Sequence, residues 1–551
     1  MRHEILYWTF AGILLAASTA RAQEPLAGEG QDSAPLTVER AAGEIEIDGR
    51  LEDPGWRSAT KDTLDYEYVP GENVQPPVET TVLLTYDDDH VYVAFRARDP
   101  EPDRIRAHLM DRDEIHTLVQ DDHVVLMFDT FDDDRRAYQF RVNPLGVQAD
   151  AFNSEIGGGE DWSFDLIWDS AGRITDEGYV VEIAVPLNQL RFPAADGELS
   201  WGIRFGRSWP RSVRHRMANH PVDRDESCVI CQFPTVVGFA GIQPGRNLEV
   251  TPTLTASRTD ERRELPGGDL EEGPEEVEPG ITGRWGITPS ITLHGTLNPD
   301  FSQVEADVAQ LNVNERFALF FPEKRPFFLE GSDFFDTPIS AVFTRTIVDP
   351  AWGLKLTGKQ ERDSGGLLVA EDDVNSLVLP SNQGSGFAFL EDDVLATIAR
   401  YRRDVGTGSS LGLLYAGREG TGYHNRVGGL DGFLRFSDSD TLRFQYLRSD
   451  TRYPAELGLG DDFLTDDGIE AWYNHSTRSW FWVVGYKDLG PDFRADSGFE
   501  PRVDLRTVQA SLGRQFWGTE DDWYTRWNVG GNYTRTEDHD GRLTDEDFQV
   551  Y

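Results

Sequence analysis

Short hydrophobic runs separated by turn-forming residues follow one another through the first half of the chain, from about Val38 onward. The runs are rich in β-branched and aromatic residues, and Asp-rich or Pro- and Gly-containing stretches lie between them. They cover residues 45–49, 81–99, 123–131, 137–146, 179–187 and 200–208. Since no long helical period interrupts them, the pattern predicts an all-β fold that begins with an antiparallel β-sandwich over residues 38–245.

Beyond residue 246 the hydrophobic runs lengthen to about ten residues, and several alternate strictly between apolar and polar positions. Leu442, Phe444 and Tyr446 fall on one face of a strand, whereas Arg443 and Gln445 fall on the other. Strands of this length, with apolar side chains toward lipid and polar ones toward a lumen, are typical of outer-membrane β-barrels. The sequence therefore predicts a barrel domain over residues 246–551, and a soluble propeller or second sandwich is the alternative.

The end of the sequence does not fit a complete barrel. The polar stretch 537–547 predicts a loop, which leaves only residues 548–551 for a final strand. A strand needs about nine residues or more to span a bilayer. We therefore expect the barrel to be incomplete at the C-terminus of this sequence.

Residues 298–335 follow neither pattern. Apolar positions over 307–321 predict a short amphipathic helix that ends at Pro322, and Pro326 is expected to keep the next turn out of helix. Two Phe–Phe pairs and a cluster of charged residues follow. Such a segment needs an apolar wall and ionic partners together, which a plug or hinge inside a barrel lumen provides. An ordinary surface helix followed by a turn is the alternative.

Residues 321–331, FPEKRPFFLEG, resemble the signature of an uncharacterised bacterial outer-membrane family. In that family a domain similar to carbohydrate-binding module family 9 precedes a β-barrel domain of unknown function. The first half of this chain carries that similarity in residues 47–59, 85–99, 140–150 and 178–192. The resemblance implies a sandwich followed by a barrel. It also implies that the sandwich binds sugar between two aromatic rings, and that structural calcium is possible.

The N-terminus predicts export. Arg2 precedes an apolar run over residues 5–17, and Ala-Arg-Ala at 20–22 fits a cleavage site. The run is too short for a membrane-spanning helix. We predict a signal peptide over 1–22 and a flexible leader over 23–37. The exported protein is then expected in the outer membrane, with its N-terminal domain on the periplasmic side.

The charge balance excludes one class of partner. The chain has 97 acidic and 52 basic residues, a net charge of −45. No basic excess exists to displace counterions from phosphates, which argues against nucleic acid. The partners predicted are a carbohydrate ligand, either an oligosaccharide or a periplasmic glycan, and outer-membrane lipid.

Cys228 and Cys231 are the two cysteines of the chain. A disulfide between them is the expected state outside the cytoplasm. A thioredoxin-like redox pair would need a βαβ setting that the pattern does not show. His215 and His220 lie just upstream, so a zinc site of two histidines and two cysteines stays open as the alternative.

Trp162 and Trp209 are the candidate sugar-binding residues, because both lie on loop-like sequence. An indole there can stack on the apolar face of a pyranose while neighbouring polar groups bind its hydroxyls. Trp56 and Trp201 are instead predicted to belong to the core, since Trp56 follows a turn and Trp201 alternates with other apolar residues along a strand.

Clustered aspartates make calcium a possible cofactor, although no EF-hand loop is present and no set of metal ligands can be assigned. The aspartates in predicted turns are Asp87, Asp88, Asp89, Asp121, Asp122, Asp129, Asp161 and Asp165. In a chain this acidic, such clusters are expected by chance.

These patterns favour an outer-membrane protein with a carbohydrate-binding domain, acting in glycan binding or uptake linked to carbohydrate catabolism. An enzyme acting on O-glycosyl bonds is one alternative, and it would need two carboxylates at a defined separation. No such pair, Ser nucleophile elbow or HExxH motif stands out, so no catalytic residue is assigned. The other alternative is a structural barrel whose sandwich binds no sugar, since a fold does not determine a function.

Overall fold

The computed structural model of the chain describes most of the sequence from residue 35 onward. The described residues are 35–551 without 157–158, 194–196, 243–247, 259, 261, 263–268, 271, 300–314, 391, 407, 459–462 and 519–521. The predicted signal peptide, most of the predicted leader, and the first part of the predicted helix over 307–321 lie outside them. Among the described residues, no helix has the length and apolar character needed to cross a membrane.

Two β-sheets pack face to face in the N-terminal half. Their strands are β1 (Leu36–Thr37), β2 (Glu39–Arg40), β3 (Thr60–Thr63), β4 (Tyr66–Val69), β5 (Thr80–Tyr86), β6 (His90–Arg98), β7 (His123–Asp129), β8 (Arg136–Val142), β9 (Gln148–Ser154), β10 (Gly159–Asp161), β11 (Asp169–Thr175), β12 (Gly178–Pro186), β13 (Leu199–Pro210), β14 (Arg214–Ala218) and β15 (Thr235–Phe239). The short helix α1 covers Ile115–Leu118.

The larger sheet has the order β1-β15-β13-β7-β8-β9-β10, with β14 joining β13 to β4. The smaller sheet has the order β11-β12-β6-β5-β2, with β3 beside β5. Neighbouring strands are antiparallel except in the two-residue pairs β1–β15 and β2–β5. Inward side chains of both sheets, among them Phe95, Phe128 and Trp201, form one apolar core. The predicted all-β fold with an antiparallel sandwich is confirmed.

The buried carboxylate of Glu182 holds in place residues 47–59, the first segment that carries the family resemblance. Glu182 Oε2 accepts hydrogen bonds from the backbone N–H groups of Asp48 and Gly49, at 3.0 and 2.7 Å. Glu182 Oε1 accepts a bond of 2.9 Å from the indole Nε1 of Trp56. Trp56 is therefore a core residue, as predicted, because its ring is buried and its N–H has a partner.

The C-terminal half consists of long strands. They are β16 (Leu248–Arg258), β17 (Glu275–Thr288), β18 (Ile291–Leu297), β19 (Pro350–Gln360), β20 (Asp363–Asp372), β21 (Asn375–Pro380), β22 (Ser385–Leu390), β23 (Val394–Val405), β24 (Ser409–Gly420), β25 (Tyr423–Arg435), β26 (Asp440–Arg452), β27 (Leu464–Ser476), β28 (Trp480–Leu489), β29 (Leu505–Trp517), β30 (Arg526–Glu537) and β31 (Leu543–Val550). A second short helix, α2, covers Pro326–Leu329.

Fourteen of these strands form one antiparallel sheet in which each strand pairs with the next along the chain. β21 and β22 form a separate hairpin between β20 and β23. In the described part of the chain, the two edge strands β16 and β31 do not pair with each other. The sheet has the meander order of an outer-membrane barrel without being closed by hydrogen bonds.

This sheet is unusual because its exposed face carries apolar side chains, whereas many side chains on its inner face are polar. On β19, Leu354 is 43% exposed on the outer face, whereas Lys355 and Thr357 are fully buried on the inner face. β24 repeats the pattern, with Leu411 and Leu413 exposed. Apolar residues therefore point outward along the sheet, and many polar residues point inward.

The aromatic segment after residue 325 packs against the inner face of this sheet. Its four phenylalanines are buried together with inward apolar residues of β20, β23, β24 and β26. Lys355, on β19, donates hydrogen bonds from Nζ to the backbone carbonyls of Phe327, Phe328 and Glu330. The segment thus has both the apolar wall and the polar partners that its composition requires.

Three local predictions were wrong. Residues 315–321 are not helical, and the helical turn begins instead at Pro326. Proline is acceptable there because the first residue of a helix needs no N–H partner and the ring sets a helical φ. The stretch predicted as the loop 537–547 is mostly strand, since β31 already begins at Leu543 and pairs with β30.

Candidate functional site

A cavity of about 420 Å³ opens on the outer face of the larger sandwich sheet. Its floor is made by the residues of β7, β8 and β13 that alternate with core residues. On β13, Arg204, Gly206 and Ser208 line the cavity, whereas Trp201 and Phe205 point into the core. A volume of a few hundred cubic ångströms is the usual size of a small-molecule site.

Strand register places the cavity residues in rows across the sheet. Arg204, Met127 and Gln139 are successive partners on β13, β7 and β8. Gly206, Val125 and Arg141 form the next row. Because Gly206 has no side chain, the floor between its polar neighbours stays open. An apolar patch within a polar rim is what the face and the hydroxyls of a sugar ring require.

One aromatic ring, Tyr68, lines this cavity, and a second, Trp162, lies behind the lining residue Arg141; an arginine covers each ring. The guanidinium of Arg141 lies 4.7 Å from the ring centroid of Trp162, and that of Arg204 lies 4.9 Å from the ring centroid of Tyr68. Glu160 holds Arg141 by an ion pair of 2.7 Å and accepts a bond of 3.1 Å from Gln139 Nε2. The predicted sugar-binding residue Trp162 thus lies beside a built polar cluster.

Trp209 does not join this cluster. It lies on β13, not on a loop as the sequence suggested, and it packs against the sandwich core on the opposite face of the sheet. Its Nε1 donates a hydrogen bond of 2.9 Å to the buried Asp99, and Arg211 covers its ring at 4.8 Å. The structure therefore separates the two predicted tryptophans by the thickness of a sheet, and its geometry favours Trp162 alone.

Two parts of the chain match known families. Residues 47–205 match the carbohydrate family 9 binding domain-like family, and residues 258–350 match a domain of unknown function, DUF5916. The first match contains most of the cavity, and the second contains the aromatic segment. The N-terminal domain is family-9-like.

Individual relatives are more distant. Endo-1,4-beta-xylanase C of Paenibacillus barcinonensis is 28% identical over 145 residues, which are 26% of this chain and 12% of that enzyme. A carbohydrate-binding module of family 9 from Caldicellulosiruptor kristjanssonii, solved with cellotriose, is 16% identical and covers 38% of this chain and 96% of its own, with a TM-score of 0.27. OccAB4 of Acinetobacter baumannii is 9% identical and covers 78% of this chain and 86% of its own, with a TM-score of 0.27.

The positively charged groups around the cavity of the family-9-like domain repel one another. Burial, together with the nearby guanidinium of Arg141, lowers the pKa of His123 to about 3. Burial also lowers the pKa of Arg214, as do the charges of Arg216 and Arg106. His123 is consequently neutral at physiological pH, and the arginines supply the positive charge of the site.

One acidic cluster in the family-9-like domain has the composition of a calcium site. Carboxylate oxygens of Asp113, Asp150 and Asp165 lie within 4.8 Å of one another. However, Arg112 already forms ion pairs with Asp150 and Asp165, the latter at 2.8 Å. A guanidinium therefore already lies among the three carboxylates and offsets one of their charges, and the set does not fit calcium well.

The turn aspartates considered for calcium serve the backbone instead. Asp129 accepts hydrogen bonds from the N–H groups of Phe131, Asp133 and Asp134. Asp87 accepts N–H bonds from Asp89 and His90. Calcium in this chain therefore stays a prediction without assigned ligands.

Cys228 and Cys231 form a disulfide. Its sulfurs are not available as thiolate ligands, which zinc requires. The two upstream histidines have other partners: His215 Nδ1 lies 2.9 Å from Glu67 Oε2, and His220 Nδ1 lies 2.9 Å from the Pro221 carbonyl. The zinc alternative has no support in this geometry.

The sequence reasoning missed Tyr68, Gln139, Arg141 and Arg204. A signal for three of them was present, because each is a polar residue at an outward position of an otherwise apolar strand. Residues 204–216 also contain five arginines, a local excess in an acidic chain. Tyr68 carried no comparable signal, since it reaches the cavity only through the pairing of β4 with β14.

Proposed function

We propose that this protein is an outer-membrane protein whose family-9-like domain binds a glycan at the cavity beside Trp162. The observation that carries the proposal is the cluster itself: Tyr68 lines the cavity with amide, carboxylate and guanidinium groups, and Trp162 lies against one of the lining residues, Arg141. The matching family is one of carbohydrate-binding domains, which supports the same ligand class.

The alternation of the fourteen-stranded sheet supports placement in the outer membrane. In water, a sheet with leucine, tyrosine and tryptophan outside and buried lysine and arginine inside would be unfavourable. In a bilayer the outward apolar residues face hydrocarbon and the inward polar ones are shielded. An exported chain with its sandwich before the barrel leaves the sandwich in the periplasm. The glycan is then an imported oligosaccharide or a periplasmic polymer.

Calorimetric titration of the full chain in detergent with neutral and acidic tri- and hexasaccharides tests the binding. We expect Trp162→Ala to weaken binding about tenfold or more, because one stacked ring contributes on the order of 1.5 kcal/mol. The matched variant Trp209→Ala should keep its affinity while losing stability, since Trp209 packs into the core. No heat with any glycan, or equal losses for both variants, contradicts the proposal.

A second candidate function, docking of the sandwich onto the barrel without sugar binding, is favoured by one set of contacts. Arg136 forms an ion pair of 2.7 Å with Asp333 and covers Phe334 at 4.9 Å, and both of these partners belong to the aromatic segment. Arg435 on β25 forms an ion pair of 2.6 Å with Glu226 of the sandwich. The two functions are compatible, because these contacts lie on residues outside the cavity.

A further inference from the structure

The cavity of the family-9-like domain is positively charged in a chain that is strongly negative overall. Besides Arg207, whose guanidinium donates to backbone carbonyls of the smaller sheet, four arginines line it: Arg141, Arg204, Arg214 and Arg216. Two glutamates line it as well. Such a local reversal of sign is not expected from a composition of 97 acidic and 52 basic residues.

Both glutamates are already engaged. Glu160 is paired with Arg141, as described above. Glu155 accepts the backbone N–H groups of Val229 and Ile230, at 2.8 and 2.9 Å. Neither carboxylate forms an ion pair with Arg204, Arg214 or Arg216.

Three arginines of the cavity have no carboxylate partner among the described residues. Arg204 stacks on Tyr68, and Arg214 donates to the neutral side chain of Gln120 at 2.9 Å. Arg216 is exposed, and its register neighbour on β13 is Ser208, whose buried Oγ has no hydrogen-bond partner. Guanidinium groups at one site repel each other. A cluster of arginines without negative partners is therefore most stable when a bound ligand supplies the negative charge.

We propose that the glycan bound here is acidic, an oligosaccharide of uronic acid residues whose carboxylates pair with Arg204, Arg214 and Arg216. This inference rests on the proposed glycan-binding function and specifies its ligand class. Arginine pairs with carboxylate in a fixed two-point geometry, which orients the sugar as well as attracting it. Gln139 and Asn153, bonded to each other at 3.3 Å, provide the amides for hydroxyl groups.

The test compares matched ligands that differ only in charge. The full chain in detergent is titrated with cellotriose and its C6-carboxylate analogue, and with α-1,4-galactotriose and trigalacturonate. We expect at least one acidic trisaccharide to bind about tenfold or more tightly than its neutral counterpart, since each charge-assisted hydrogen bond contributes about a decade. The advantage should shrink when salt is raised from about 0.05 to 0.5 M.

Variants assign the effect to the cavity. Arg204→Gln and Arg216→Gln should each remove most of the advantage for the acidic ligand. Arg96→Gln, an exposed arginine on β6 of the other sheet, should remove none.

The outcomes separate the two proposals. Neutral and acidic sugars that bind equally would overturn the acidic specificity and leave glycan binding intact. An acidic preference that survives both cavity variants would also overturn it. Absence of binding to all four trisaccharides would count against the glycan-binding function itself, and the specificity would fall with it.

Discussion

The two halves of this protein differ in which face of a β-strand carries the apolar side chains. In the sandwich it is the inward face, and in the fourteen-stranded sheet it is the outward face. In the sandwich, Val124, Leu126 and Phe128 of β7 point into a core between two sheets, and the outward positions of the same sheet carry polar residues and the cavity. In the fourteen-stranded sheet, Leu354 points outward and Lys355 inward. The same period of two thus gives opposite results in the two halves. Under the proposed membrane placement the reason is that the surroundings differ, water in one case and hydrocarbon in the other.

The largest effect is expected in the sandwich core. Trp201 is fully buried and stacks on Phe239 with ring centroids 4.4 Å apart. Trp201→Ala should lower the free energy of unfolding by about 3–5 kcal/mol, because it leaves a large cavity. Denaturant unfolding followed by circular dichroism measures this loss. As a control, Trp523→Ala, at a position 82% exposed, should change stability by about 0.5 kcal/mol or less. Similar losses for both would mean that Trp201 is not a core residue.

A charge on the outer face should distinguish the two halves directly. Leu413, near the middle of β24, is 58% exposed. In phosphatidylcholine vesicles, Leu413→Arg should destabilise the folded protein by about 2–4 kcal/mol, as an arginine facing hydrocarbon does. The matched Leu109→Arg, at an exposed position of the sandwich, should have little effect. If both substitutions leave the stability in vesicles unchanged, the proposed difference between the two halves is wrong.

The contact between the halves should have an intermediate effect. Arg136→Ala removes a largely buried ion pair with Asp333 and the cover of Phe334. We expect a loss of about 1.5–3 kcal/mol, typical of hydrogen bonds to charged groups. Hydrogen exchange should show the loss as faster exchange of residues 326–335. The control Arg96→Ala should leave hydrogen exchange in that segment unchanged. Equal protection of the segment in both variants would show that the contact of Arg136 does not link the halves.

The smallest effect concerns pH. His123 has a pKa near 3 in the folded domain against 6.5 when exposed, so the unfolded chain binds its proton first as pH falls. This residue therefore costs stability progressively below pH 6.5. Between pH 7.5 and 5.5, wild type should lose about 1.3 kcal/mol more than His123→Gln, as measured by unfolding at both pH values. A parallel pH dependence of the two proteins would show that the histidine titrates normally.

The sequence predicted the features of this fold that are encoded by neighbouring residues along a single strand. Alternation along single strands predicted the sandwich, the long strands and the core role of Trp201, because those signals are local. The helix at Pro326 and the strand from Leu543 were missed for another reason. The strand from Leu543 has mostly polar residues and forms by pairing with the preceding strand β30, and the helix at Pro326 depends on a helix position that propensity alone does not reveal.

The site was harder to predict for a similar reason. Trp162 lies near the cavity, and its role in sugar binding stays a prediction. Trp209 was grouped with it because both were assigned to loop-like sequence, whereas Trp209 lies on β13. Only the register of β13 shows that Trp209 shares a face with Trp201 and not with Arg204. The convergence of Tyr68 from β4 likewise depends on pairing between strands about 150 residues apart, and no local pattern encodes it.

Lipid contact of the outer face is the central claim, and a nitroxide scan along β24 tests it most directly. Single spin labels at residues 411 to 415, in the protein reconstituted in phosphatidylcholine vesicles, report collision with oxygen from the bilayer and with a water-soluble nickel reagent. We predict strong oxygen and weak nickel collision at 411, 413 and 415, and little oxygen collision at 412 and 414. Strong nickel collision at 411, 413 and 415 would place this face in water and contradict the account.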